Sequence, residues 1–159
     1  MNTFMMVTII MALFGSALVA GTFFAFSSFI MKALARLPSK EGVAAMQSIN
    51  VVVLNPVFLS LFMGTTVISV LVSVLAISQW EMPAAPYYLA GALFYVIGTF
   101  LVTGMGNVPL NNQLAALGAT DPAAVDTWQR YLDRWTRLNT IRTFCATVAA
   151  VILLIGLLK

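Results

Sequence analysis

Long apolar runs without a single charge set the pattern of this chain. No Asp, Glu, Lys or Arg occurs in residues 3–31, 42–80, 82–120 or 143–158. The first three runs exceed the ~20 residues a helix needs to cross the hydrocarbon core, and the fourth comes close. They are continuous rather than alternating, which predicts helices and not barrel strands. The expected fold is all-α, an integral membrane four-helix bundle with spans near 3–30, 56–77, 86–105 and 138–158. A short amphipathic helical extension is expected ahead of spans 2 and 4. Too few residues remain for a soluble domain, so a single transmembrane domain over 1–159 is predicted.

Finer signals dress these spans. Ala17, Gly21 and Ala25 share one face of span 1, a seam suited to close helix approach. Pro38 and Ser39 break the chain before an amphipathic stretch in which Val43, Met46, Ile49 and Val53 recur at helical spacing. Pro56 after Asn55 predicts a kink at the start of span 2, because proline lacks a backbone donor and disfavours helical geometry before it. Trp80, Tyr87 and Tyr88 stand where an aromatic belt is expected. Gly91, Tyr95, Gly98 and Val102 form a packing face on span 3. Residues 121–137 read as a helix running into span 4, opened by Thr120, Asp121 and Pro122.

Composition agrees with the pattern. The chain is 61% hydrophobic and 8% charged, with a mean hydropathy of +0.98, against roughly 25% charge in a soluble domain. The first run lacks a basic start and is about twice the length of a signal peptide's apolar core, so it is expected to be retained. Basic residues gather in connections 1 to 2 and 3 to 4. That bias predicts both termini outside, and a bacterial cytoplasmic membrane is the expected location. The chain has no histidine and one cysteine, Cys145, inside the last run. The commonest metal ligand and general base is therefore missing, and neither metal nor cofactor is expected.

Polar residues nonetheless cluster near one end of the spans. Trp128, Tyr131, Trp135, Asn139 and Arg142 fall every three or four residues and form one stripe, while Arg130, Arg134 and Arg137 form a solvated second. Arg142 lies ~6 Å inside the expected start of span 4, where a charge needs partners. No acid lies in any span, so the partners must be amides, hydroxyls or carbonyls. Asn50 and Asn55 entering span 2, Asn107 and Asn111 leaving span 3, and Asn139 beside Arg142 are expected to converge at one depth. Two readings stay open: a network that fixes the bundle end, or a pocket floored by amides and walled by Trp135 and Tyr95.

At these residues the chain resembles the anthrone oxygenase family of small four-helix membrane proteins. The resemblance is carried by "AMQSINVVVLNPVF", "TGMGNVPLNNQL" and "WQRYLDRWTRLNTIRT". It implies cofactor-independent oxidation of an anthrone to an anthraquinone, with Asn107, Asn111, Asn139 and Arg142 as donors to an enolate and Trp135 as a stacking wall. Arg142 and Asn139 are then the catalytic candidates, and Asn50, Asn55, Asn107, Asn111 and Trp135 the ligand-binding ones. Where the family's last motif reads Trp-Asn-His-x-Arg-Thr, this chain has Leu138, Asn139, Thr140, Ile141, Arg142 and Thr143. Thr140 is a poor base.

Two functions follow: an oxidoreductase acting on an aromatic or quinone-like compound, or a noncatalytic protein whose cluster holds a lipid, a quinone or a partner subunit. The bilayer and an aromatic small molecule are the expected partners, oligomerisation is left open, and nucleic acid is not expected. A proton-coupled exporter would need an intramembrane acid, which no span contains.

Overall fold

The computed structural model describes residues 2–118 and 124–159. Among them every regular element is helical. Helix α1 covers Thr3–Leu34, α3 covers Pro56–Ser78, α4 covers Ala85–Ala115 and α5 covers Ala124–Leu157, and all four are long and apolar enough to cross a membrane. A shorter helix, α2, covers Ser39–Val52. The chain is a membrane protein by these four helices. Their outward faces are greasy, with Phe4, Phe14, Phe24 and Phe144 each at least 60% exposed. In a bilayer such faces are solvated by acyl chains rather than hidden.

The long helices form a ring in the order α1, α3, α4, α5, each packed on its chain neighbours, with α5 closing against α1. Consecutive spans run up and down, so both termini share one end with Met5, Ile9, Val72, Ala76, Tyr88 and Leu153. The opposite end carries α2 and the start of α5, joined around Met46, Leu114, Trp128 and Trp135. Thr8, Thr65, Thr66, Ser73, Thr143 and Thr147 turn their hydroxyls back onto the carbonyl four residues earlier. This satisfies each polar group locally where no water is available.

Small residues decide how closely the helices meet. A Cβ on Gly91 would lie 2.8 Å from Leu153 Cγ and 3.1 Å from the Ala149 carbonyl, and one on Gly98 would collide with Cys145. The predicted face on span 3 is therefore the α4 and α5 contact. The predicted seam on α1 is not used in this way. Ala17 and Gly21 are exposed, and α1 packs instead through Ala12, Gly15, Ser16 and Val19. Hydrophobic spacing cannot tell these two stripes apart, since both are apolar.

Three local departures matter for the site. Asn55 and Pro56 do not kink a helix but separate two. Asn55 adopts extended backbone and caps α3, so the proline sits at the first turn, where its missing donor costs nothing. Span 3 does not stop near Met105 but continues to Ala115. It carries π-helical turns at Val96–Leu101 and Thr103–Asn107, and Val108 donates to the Thr103 carbonyl five residues back. That widening just before Pro109 lets the helix accept a proline without ending. A third π stretch, Phe26–Ile30, lies in α1. The predicted helix ahead of span 4 is continuous with it from Ala124, while Thr120, Asp121 and Pro122 lie outside the described residues.

Candidate functional site

The three π stretches all pack against the helix that carries Arg142. Arg142 is buried, with 4% of its surface exposed. Its Nη2 donates to Asn139 Oδ1 at 2.7 Å and its Nη1 to Thr103 Oγ1 at 3.0 Å. The guanidinium also lies 4.0 Å from the centre of the Phe23 ring and 5.3 Å from that of Trp135. A planar, weakly hydrated cation is suited to such stacking, and the rings replace part of the lost water. Thr99 Oγ1 donates to the Arg142 carbonyl.

Asn139 holds this cation to α1. Its Nδ2 donates to the Phe23 carbonyl and to Ser27 Oγ, both at 2.7 Å. The Phe26–Ile30 turn is what presents Ser27 to α5, since a π turn shifts the side chains that follow it. Asn107 Nδ2 donates to the Trp135 carbonyl at 3.2 Å. Asn111 Oδ1 accepts from Tyr131 Oη and from Trp135 Nε1, each at 2.8 Å. Asn50 Nδ2 donates to the same Tyr131 hydroxyl at 3.4 Å. Trp128, Tyr131 and Trp135 stack in a column, with ring centres 5.7 and 6.0 Å apart.

Six of the seven predicted site residues thus meet at one end of the bundle. Asn55 does not join them. It is exposed, and its side chain is committed to the Phe58 amide and the Val52 carbonyl. Tyr95 lies deeper than expected, fully buried, donating to the Phe62 carbonyl. Phe62 and Phe100, not Tyr95, wall the cavity. Sequence reasoning did not single out Phe23, Ser27, Phe58, Phe62, Phe100 or Thr103. A phenylalanine facing a cavity reads the same as one facing lipid.

The cluster is not filled by its own side chains. A cavity of about 270 Å³ lies beside Arg142, walled by Phe23, Phe58, Phe62, Phe100 and Trp135, with Asn50, Asn107, Asn111 and Thr103 among its polar lining. Small-molecule sites run from roughly 300 Å³ upward, so this one suits a compact ligand. Neither Arg142 Nε nor Asn107 Oδ1, both buried, has a hydrogen-bond partner. No Asp or Glu is among the described lining residues. Thr140 is exposed and faces Ser27 in the groove between α1 and α5. Among the described residues, no three His, Cys, Asp or Glu side chains gather as metal ligands.

No curated protein and no solved structure matches the chain. A family model described as "Anthrone oxygenase" matches residues 57–152. That stretch holds α3, α4 and most of α5, and with them Asn107, Asn111, Trp135, Asn139 and Arg142. Phe23 and Ser27 on α1 and Asn50 on α2 complete the site from outside it. With more than half of its length under that model, and the polar end of the bundle built largely from the matched part, this chain belongs to the anthrone oxygenase family.

Proposed function

We propose that the cavity binds a flat aromatic compound bearing a ketone or phenol oxygen, of the anthrone or quinone kind, and that Arg142 stabilises its ionised form. The observation that carries this reading is an aromatic-walled cavity placed directly against a buried guanidinium. The walls offer ring faces, and the guanidinium offers positive charge where an enolate oxygen would develop.

Oxidation of such a compound needs no metal if the substrate is acidic enough. A ring CH₂ loses a proton to water, the enolate gives one electron to O₂, the resulting pair combines into a hydroperoxide at that carbon, and loss of water leaves a ketone. In sum CH₂ and O₂ become C=O and H₂O. The chain contains no histidine, and no carboxylate lines the described cavity, so Arg142 would act by lowering the energy of the enolate. The same lack of a base favours a second reading, binding without turnover. In either reading the polar end faces the cytoplasm, since Lys32, Arg36 and Lys40 cluster around the end of α1 and Arg130, Arg134 and Arg137 lie near the start of α5.

The test uses purified protein and 1,8-dihydroxyanthraquinone as a quencher of tryptophan fluorescence. Saturable quenching is expected. Arg142→Leu should weaken it about 100-fold, the loss of a charged hydrogen-bonding group, with a modest fall in melting temperature. A collapse of melting with no measurable wild-type binding would instead make the cluster purely structural. Oxygen uptake above the spontaneous rate with 1,8-dihydroxyanthrone marks an oxygenase, whereas binding without it assigns the second reading.

A further inference from the structure

We infer that the cavity is filled sideways from the bilayer, through an opening between α3 and the π-helical part of α4. The inference rests on the cavity being a ligand site. Residues that line the cavity and are also exposed mark its mouth: Leu54, in the break before α3, and four more on two facing helices. On α3 they are Leu59 and Met63, 36% and 45% exposed and one turn apart. On α4 they are Gly104 and Val108, again one turn apart, and a Cβ on Gly104 would meet nothing within 4 Å. All four are apolar or glycine, and all lie in helices long and apolar enough to cross a membrane.

The reason for the gap is local. Helix α3 packs along the first half of α4 and its Val96–Leu101 turn, but residues 56–61 bury no side chain fully. The end of the cavity nearest the membrane surface is closed by contrast. Met46, Ile49 and Asn50 of α2 lie across it, and Gln47 ties α2 to the end of α4 by donating to the Leu114 and Leu117 carbonyls at 2.8 and 3.2 Å. A ligand that dissolves in hydrocarbon therefore meets an uncharged doorway at the side and a bolted lid at the end.

Stopped-flow quenching by 1,8-dihydroxyanthraquinone in phosphatidylcholine vesicles tests this with three proteins: wild type, Gly104→Phe and Gln47→Ala. Gly104→Phe should slow association and dissociation alike, each by about tenfold, leaving affinity within about twofold, as expected of a gate. Gln47→Ala should leave both rates unchanged. Wild-type rates in Gly104→Phe, faster exchange in Gln47→Ala, or an affinity loss in Gly104→Phe without slowing would each overturn the side opening while the ligand site stands. Absence of saturable quenching in wild type would remove the site and the opening together. Val108→Phe narrows the same doorway from the next turn and is read in the same way if Gly104→Phe fails to fold.

Discussion

At the end shared by the termini, Tyr88, Ala92, Gly156 and Leu153 interlock, and a Cβ on Gly156 would lie 2.6 Å from the Tyr88 ring. At the opposite end the same helices carry π turns, amides and a buried cation, and they stand apart around a cavity. The closed end is held by contact between small and large side chains, which is what helix association in lipid chiefly offers. The open end is held by hydrogen bonds that cross from α5 to α1, α2 and α4. A cavity survives where directional bonds fix the helices at a distance. Dispersion alone would draw them together.

The largest effect should come from breaking the open end at its hub. Asn139→Leu strips partners from Arg142, Ser27 and the Phe23 carbonyl, leaving a buried charge short of one acceptor. A loss of about 3 kcal/mol in detergent unfolding is expected, together with weaker quenching by the anthraquinone. A loss below about 1 kcal/mol would mean that packing, not hydrogen bonding, holds that end.

Gly91→Val probes the closed end. Its side chain would press on Leu153 and the Ala149 carbonyl, and overpacking of that kind costs about 2 kcal/mol. Affinity for the anthraquinone should stay at the wild-type value, because the affected contact lies away from the cavity. A parallel fall in affinity would show that the two ends are coupled.

The smallest change concerns the residue that the amide network leaves out. Asn55→Ala removes an exposed helix cap, costing about 1 kcal/mol in melting, with binding unaltered. If binding instead dropped with Asn55→Ala, the cap would be what holds Val53 and Leu54 of the α2 to α3 break against the cavity they line.

Much of this end was legible along the chain. The stripe Trp128, Tyr131, Trp135, Asn139 and Arg142 shows at helical spacing, and a charge that deep has to find polar partners, so a gathering of amides at that end could be anticipated; that the guanidinium bonds Asn139 and Thr103, while Asn50, Asn107 and Asn111 bond Tyr131 and Trp135, could not. Asn55 misled because the same amide serves equally as a partner across helices and as a cap to its own helix. The small-residue seam on α1 misled because a glycine on a lipid-facing stripe and a glycine at a contact are the same residue.

Charge-free runs of this length determine the number of helices and their apolar surroundings, because backbone in hydrocarbon has no other way to satisfy its polar groups. The deep arginine likewise determines that some polar cluster must exist. Which faces touch, where the helices widen into π turns, and whether the space beside Arg142 is filled or empty are matters of tertiary structure. They depend on how side chains from α1, α2, α3 and α4 fit against α5, and a one-dimensional pattern of apolar positions looks the same for a phenylalanine against lipid, against a neighbour or against a cavity.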